Sequence, residues 1–278
     1  MLKESTSFFS AAIFVAAMAP ILPAQVAKPR ETLALSTLRT DQRAAVIVPA
    51  GSGQGTSNVD LLWPLIAPGP VRYQQWFHNG LFPQGKLRIT GMAFRPNPQL
   101  GGKMDIADPS MLIRFSTTTN STNAVGQRFA DNLSADIATV RSGKLTFSSS
   151  FTQLENGTMD FDVLVPFDAP FEFDTTTGRH LILDMFNEFG TSVENVNPQC
   201  LVFPVDAPRG CNLDAQAFEN PETAMLRRWR SDAGTGTLAE NAVAEVSDTR
   251  GYVIRFEYEL VPTPASGSVR RIDPRSRP

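Results

Sequence analysis

The segment that decides the fold class lies near the C-terminus and reads YVIRFEYEL over residues 252–260. Its side chains alternate, so that Ile254, Phe256, Tyr258 and Leu260 share one face while charged side chains occupy the other. A period of two is the period of an extended strand with one buried and one solvated face. The segment therefore predicts an antiparallel sheet that covers a core on one side.

The same period recurs along most of the chain. Runs of β-branched and aromatic residues are separated by Gly, Asn, Asp and Pro, the residues that turns require. The clearest runs are LRITGMAF (87–94), MLIRFST (111–117), KLTFSSSF (144–151), MDFDVLVPF (159–167), HLILDMF (180–186) and AMLRRWRS (224–231). Many short strands joined by turns predict an all-β fold, which we expect to be an antiparallel β-sandwich of the jelly-roll kind.

One segment departs from this period. Between Gln127 and Val140, the residues Phe129, Leu133 and Ile137 follow one another at a spacing of four. That spacing places side chains on one side of an α-helix. We therefore expect one short helix, which would cross an end of the sandwich.

The composition limits the classes of protein to consider. The chain has 278 residues, of which 42% are hydrophobic and 19% charged, and this suits one sizeable domain with tails. The content of 19 Gly and 21 Pro argues against a coiled coil. A formal net charge of −3 provides no field that would attract nucleic acid, so we expect no nucleic-acid partner.

The N-terminus reads as a secretory signal. Lys3 precedes the apolar run FFSAAIFVAAMA (8–19), and Ala24 is a suitable last residue before cleavage. The run is shorter than the roughly 20 apolar residues of a membrane span, although an anchor or a buried helix is the alternative. We expect a signal peptide at 1–24, a secreted extracellular protein and no membrane span in the mature chain.

Composition also predicts the remaining boundaries. Residues 25–69 contain a polar stretch and the Gly/Ser-rich run VIVPAGSGQGTSN, so we expect a flexible leader there. The β-sandwich domain is expected over 70–261. Residues 262–278 have no apolar periodicity and carry four Arg against one Asp, which predicts a disordered basic tail.

The two cysteines lie close together in a long connection between predicted strands. Cys200 and Cys211 stand within residues 187–222. In an oxidising compartment they would form a disulfide that closes a short loop. Two unpaired thiols are the alternative.

Several short phrases of the sequence stand in a recognisable order. They include Arg72-Tyr-Gln-Gln-Trp76, Ile89-Thr-Gly-Met-Ala-Phe-Arg95, Phe129-Ala-Asp-Asn-Leu133 and Leu181-Ile-Leu-Asp-Met185. In this order the chain resembles an uncharacterised secreted β-sandwich domain of environmental bacteria, often found in exoproteins that carry a C-terminal PEP-CTERM sorting signal. The resemblance implies export and a β fold, and it implies no catalytic residues.

The C-terminus departs from that family. Many of its members continue from the last strand into a Val-Pro-Glu-Pro phrase, a hydrophobic anchor and a basic end. Here the sequence VPTP stands at 261–264, and a basic tail follows without an apolar segment. We therefore expect free secretion, or retention by other means, in place of processing by the sorting machinery.

The sequence offers few groups for catalysis. His180 begins a predicted strand with Asp184 four residues along, about 13 Å away and beyond hydrogen-bonding reach. His78 lies in a predicted loop. Asp160 and Asp162 share one face of a predicted strand, which is either a solvated face or a carboxylate pair for glycan hydrolysis. We expect a non-catalytic protein, with an extracellular glycan hydrolase as the alternative.

Aromatic side chains among polar ones are the usual elements of a carbohydrate site. Tyr73, Trp76 and His78 form one such group, and Trp229, which stands among arginines, forms a second. These four residues are the candidate ligand-binding residues. The alternative is that the aromatic side chains belong to the core or to a sheet edge.

Calcium is the one cofactor that the sequence suggests, and none is expected to be obligatory. The pairs Asp105 and Asp108, and Asp131 and Asn132, place oxygen atoms in predicted loops, as hard cations prefer. Ordinary turn and cap chemistry is the alternative, and the one that we favour.

These observations predict a secreted, non-catalytic β-sandwich module that binds polysaccharide or extracellular matrix, or that has a structural role. The hydrolase is one alternative. A subunit of a surface assembly is another, in which an exposed β edge accepts a strand from a neighbour.

Overall fold

The computed structural model describes residues 43–49, 59–62, 70–99, 101–106, 110–188, 212–217, 225–231, 242–244 and 246–262. All of them belong to one compact unit, residues 41–278. In these ranges no helix has the length and apolar character needed to cross a membrane.

The described residues form strands joined by turns and short 3-10 segments. In chain order the strands are β1 (Ala44–Val48), β2 (Val59–Leu62), β3 (Val71–Phe77), β4 (Lys86–Phe94), β5 (Met104–Ile106), β6 (Ser110–Thr118), β7 (Ala138–Lys144), β8 (Phe147–Ser149), β9 (Val163–Asp174), β10 (His180–Asn187), β11 (Asn212–Ala217), β12 (Met225–Ser231), β13 (Val246–Asp248), β14 (Arg250–Tyr252) and β15 (Ile254–Leu260).

Two antiparallel sheets make up most of the fold. The first has four strands in the order β1-β15-β4-β9, and the second has six in the order β13-β12-β3-β10-β6-β7. The strands β14, β11 and β2 form a smaller sheet, and β5 pairs with β8. The prediction of an all-β, antiparallel, sandwich-like fold is confirmed.

The core lies between the two large sheets and is rich in aromatic rings. Phe256 on β15 packs against Phe77 on β3 and Phe115 on β6, with ring centroids 5.4 Å and 6.1 Å apart. Ile254 and Tyr258 belong to the same buried cluster. The predicted alternation is confirmed for these three residues, whereas Leu260, predicted on the same buried face, is 58% exposed at the end of the strand.

The sheet begins earlier in the chain than we predicted. β1 and β2 both lie in the segment 25–69, which we expected to be a flexible leader. β1 pairs with β15, with Val46 opposite Phe256, and Val48 is fully buried in the core. The run AAVIV does not alternate, so its strand character comes from this long-range pairing. The predicted signal peptide at 1–24 lies outside the described residues, as does the predicted tail beyond residue 262.

The helix expected between Gln127 and Val140 is wrong. Ala130–Asn132 forms a single 3-10 turn, and β7 already begins at Ala138. The backbone N–H of Phe129 donates to the carbonyl of Ala242 at 3.2 Å, so it bonds to a distant segment of the chain. Residues 119–137, which we call the covering segment, lie against the outer face of the six-stranded sheet.

Candidate functional site

β3 carries two of the predicted ligand residues, and it is buried on both faces. Tyr73 is fully buried and faces the core. Trp76 is 1% exposed and faces the covering segment, where its Nε1 donates to the carbonyl of Asn120 at 3.0 Å. The prediction that Tyr73 and Trp76 form a carbohydrate platform is therefore wrong. A central strand with both faces covered has no solvated side, whatever the alternation of its polar residues suggests.

A buried charge network closes the outer face of the six-stranded sheet. Asp184 on β10 accepts hydrogen bonds from Arg72 Nε at 2.9 Å, Arg114 Nε at 2.8 Å and Gln74 Nε2 at 3.0 Å. Gln74 Nε2 also donates to the carbonyl of Phe129 at 3.0 Å, and the Arg72 guanidinium lies 5.0 Å from the Phe129 ring centroid. These contacts fasten the covering segment to the sheet, so the part of this face formed by the described side chains of β3, β10 and β6 is covered.

Two further predictions concern residues that the structure leaves undescribed. Trp229 lies in β12, opposite Tyr73 of β3, but its side chain is outside the described part of the molecule. Cys200 and Cys211 also lie outside the described residues. The ligand role of Trp229 and the disulfide therefore stay predictions.

Asp160 and Asp162 do not share the face of a strand, because β9 begins only at Val163. The Asp162 Oδ2 atom accepts a hydrogen bond from the backbone N–H of Ser150 at 2.8 Å. The backbone N–H of Asp160 donates to the carbonyl of Thr152 at 2.9 Å. The prediction that they share a strand face is wrong, because these residues belong to a loop whose conformation such bonds hold, and the hydrolase alternative stays a prediction.

The oxygen clusters considered for calcium lie in different settings. Asp105 is on β5, Asp131 is in a 3-10 turn, and Asp108 lies outside the described residues. Asn132 is buried and donates from Nδ2 to Gln74 Oε1 at 3.0 Å, so it anchors the covering segment. Within the described ranges, no three His, Cys, Asp or Glu side chains are grouped as a metal site requires. Calcium binding stays a prediction.

The two histidines of the chain, far apart in sequence, lie side by side in the fold. β3 and β10 pair with Phe77 opposite Leu181, which brings His78 and His180 together at adjacent strand ends. Their ring centroids are 4.8 Å apart. The Trp76 ring contacts both, with centroids 5.9 Å from His78 and 4.6 Å from His180.

Both imidazoles accept hydrogen bonds from the backbone of one turn. His78 Nδ1 accepts from Gly80 N at 3.0 Å, and His180 Nδ1 accepts from Asn79 N at 3.3 Å. A neutral ring with an accepting Nδ1 carries its proton on Nε2, which then has no lone pair for a metal. Burial, and then the nearby His78, lower the pKa of His180 from 6.5 to about 4.

A polar cluster joins β6 to the end of the covering segment. Asp136 accepts hydrogen bonds from Ser134 Oγ at 2.6 Å, Thr117 N at 3.0 Å and Ser116 Oγ at 2.9 Å. The Arg179 guanidinium lies 3.6 Å from the Asp136 carboxylate. Burial alone would raise the pKa of Asp136, but these hydrogen bonds outweigh it and lower the pKa from 3.8 to about 2.

We expect Asp136 to make the fold less stable in acid. Its folded pKa is lowered, so its contribution is complete above about pH 4 and is lost as the pH falls towards 2. Because the side chain is partly exposed, solvent screening reduces the loss to about 1 kcal/mol. Urea unfolding between pH 2 and 7 measures it. In the Asp136→Asn variant, the free energy of unfolding should change less with pH than in wild type. In Asp131→Asn, a control at an exposed position, it should change with pH as in wild type. The same pH dependence in all three proteins would contradict the prediction.

The outer face of the four-stranded sheet carries an open groove of about 260 Å³. The groove forms where β4 is irregularly paired on both sides. Thr90 is an extra residue of β4 relative to β15, and beside it the pairing with β9 jumps from Phe171 to Pro166, so that residues 167–170 form an insertion in β9. Gly91 lines the groove, and a Cβ atom there would lie 3.4 Å from Glu257 Oε2. Leu164 and Pro166 of β9 provide an apolar wall.

The groove combines charged groups with apolar surface. The side chain of Glu257 is 39% exposed, and one carboxylate oxygen lies 3.6 Å from Arg255 Nη2. Leu164 is 54% exposed and adds apolar surface to the groove. Arg43 adds a cation to the lining. A few polar groups beside apolar surface are the typical lining of a site for a small organic group.

Sequence reasoning missed the groove, although two signals pointed towards it. Glu257 was placed correctly on the solvated face of its strand by alternation. Gly91 inside a predicted strand is a signal of a bulge or of a close approach. Neither signal predicts that β9 and β15 pair with β4 on either side of the bulge, which is the arrangement that forms the groove.

Comparison of the chain with protein-family models, with curated proteins and with solved structures finds no match. The likeness to the secreted β-sandwich domain of bacterial exoproteins therefore stays a prediction that rests on the sequence phrases quoted above.

Proposed function

We propose that this protein is a non-catalytic extracellular module that binds polysaccharide through the groove of the four-stranded sheet. The observation that supports it is the groove itself, which is lined both by the polar residues Glu257 and Thr90 and by the apolar residues Leu164 and Pro166. A sugar ring has an apolar C–H face and a rim of hydroxyl groups. The wall suits the first and the polar groups suit the second.

Binding is favoured over hydrolysis by the charges in the groove. Among the described residues that line it, Glu257 is the one carboxylate. Glycoside hydrolysis requires a pair of carboxyl groups on either side of the scissile bond. The secretion predicted from the N-terminal sequence would bring the groove into contact with extracellular polymers.

We expect Glu257→Gln to weaken polysaccharide binding about tenfold, because a hydrogen bond to a charged acceptor contributes about 1.5–3 kcal/mol. Gly91→Val should abolish binding, since its side chain enters the groove beside Glu257. Retention of the full chain on a panel of insoluble polysaccharides and on a glycan array measures both effects. Glu259→Gln is the matched control, because Glu259 is on the same strand, pairs with Arg88 at 3.4 Å and does not line the groove.

Three outcomes would count against this proposal. Retention of no polysaccharide contradicts carbohydrate binding. Equal retention by wild type, Glu257→Gln and Gly91→Val places the binding site elsewhere on the molecule. Oligomers detected by light scattering, without glycan retention, favour the surface-assembly alternative.

A further inference from the structure

The turn that joins β3 to β4 depends on both histidines. It forms the 3-10 segment Asn79–Leu81. The N–H of Gly80 donates to His78 Nδ1 at 3.0 Å, and the N–H of Asn79 donates to His180 Nδ1 at 3.3 Å. Two adjacent backbone donors of one turn are therefore satisfied by imidazole acceptors.

We propose that His78 and His180 form an acid-sensitive latch, which holds this turn when both rings are neutral and releases it when a ring takes up a proton. A protonated imidazole has N–H groups at both nitrogens and no acceptor. Protonation at Nδ1 would therefore place two donors face to face. With the ring centroids 4.8 Å apart, a charge on one ring also opposes a charge on the other, so a proton on one ring disfavours a proton on its neighbour.

The surroundings of His180 favour a neutral ring at neutral pH. Among the described residues near this end of β3 and β10, the charged side chains include Arg179, Asp174 and Asp136. Arg179 lies 3.6 Å from Asp136, whose pKa of about 2 keeps it ionised over the whole range in which histidine titrates. Asp174 accepts from the N–H of Thr176 at 2.9 Å, within its own turn. On β6 the residue opposite His180 is the uncharged Thr118.

The indole of Trp76 works in the opposite direction, because an aromatic face attracts a cation. Burial is the larger effect at His180, where the pKa falls to about 4 in spite of this neighbour. Acid must therefore go well below the ordinary histidine range before this ring accepts a proton.

Release of the turn would loosen one end of the sandwich. The Asn79 side chain donates from Nδ2 to the carbonyl of Thr175 at 3.0 Å, so the turn also holds the segment before β10. The two imidazoles lie against Trp76, which is buried when the latch is closed. Acid would thus uncover part of an indole ring at the end of β3.

Histidine resonances in proton NMR test the proposal directly, since the chain has two histidines. The variants His78→Asn and His180→Gln assign the two Cε1–H signals, and each keeps a side-chain acceptor that does not titrate in this range. In the wild-type full chain we expect one ring to titrate at least one pH unit below 6.5. Over the same pH interval, the hydrogen-exchange protection of the Asn79 and Gly80 amides should fall about tenfold.

The double variant separates the latch from general acid unfolding. With His78→Asn and His180→Gln together, protection at Asn79 and Gly80 should stay constant between pH 7 and pH 4. The amide of Leu183, in the middle of β10, is the internal control and should remain protected in both proteins. The proposal is overturned if both histidines titrate near 6.5 with no change at Asn79 and Gly80, or if the double variant loses protection over the wild-type range.

Discussion

We expect Asp184→Ala to lower the free energy of unfolding by about 3–5 kcal/mol, the usual cost of removing one partner from a buried ionic network. Asp184 is 1% exposed and is the shared acceptor of Arg72, Arg114 and Gln74. Its removal leaves two guanidinium groups close together in a dry environment without the carboxylate between them. The covering segment, which Gln74 and Arg72 hold, should loosen at the same time.

Two variants control for this prediction, and urea unfolding at pH 7 measures all of them. Asp184→Asn keeps the shape and one oxygen acceptor, so its loss should be smaller than that of Asp184→Ala. Asp168→Ala removes a carboxylate that is 52% exposed and lies 2.5 Å from Arg141, and its loss should be much smaller than that of Asp184→Ala, because solvent screens an exposed ion pair. A similar small loss for Asp184→Ala would show that the network does not stabilise the fold.

Alternation predicted the β15 sheet face because it is a local property of the sequence. Each of Ile254, Phe256 and Tyr258 is placed by its own neighbours, and the structure buries all three. The same reasoning failed at β3, since it assumes that one face of every strand is wet. Residues 71–77 read as a mixture of polar and aromatic side chains, yet all are buried, because the covering segment lies on their second face.

The short helix was predicted from the spacing of four residues between apolar side chains in the covering segment, but this spacing has another cause. Phe129 and Leu133 are both packed against the sheet, Phe129 beside Arg72 and Leu133 in the cluster of Trp76. A spacing of four residues arises equally in an irregular segment that presses two side chains onto one surface. Nothing local distinguishes the two cases, because the deciding bonds are made to residues such as Ala242, far along the chain.

The candidate sites were the least predictable part, because they depend on register. His78 and His180 meet only since β3 and β10 pair with Phe77 opposite Leu181, and a side-chain pattern contains no such information. The groove depends on two irregularities that meet at Thr90, one extra residue relative to β15 and an insertion of residues 167–170 in β9. The sequence shows which residue types are available for the histidine pair and for the groove, and alternation placed Glu257 on the solvated face of β15. The distances between these residues depend on strand pairing, which the sequence pattern does not give.

The other large effect that we expect is at the centre of the core. Phe256→Ala should lower the free energy of unfolding by about 3–5 kcal/mol, the usual range for a phenylalanine replaced by alanine in a close-packed interior. The Phe256 ring contacts Phe77, Phe82 and Phe115, at centroid distances of 5.4 Å, 5.5 Å and 6.1 Å. Since Phe256 comes from the four-stranded sheet while Phe77 and Phe115 come from the six-stranded one, the cavity would open between the two layers.

The size of this loss, compared with two other variants, distinguishes core packing from a general sensitivity of β15. Phe256→Leu fills most of the volume and should cost less than half as much, because the cavity is smaller. Leu260→Ala, at an exposed position of the same strand, should change the free energy of unfolding by less than about 0.5 kcal/mol. Urea unfolding measures these differences, provided that the slope of the unfolding free energy against urea concentration is the same in all variants. If Leu260→Ala cost as much as Phe256→Ala, the pairing of β15, and not its buried ring, would be what joins the sheets.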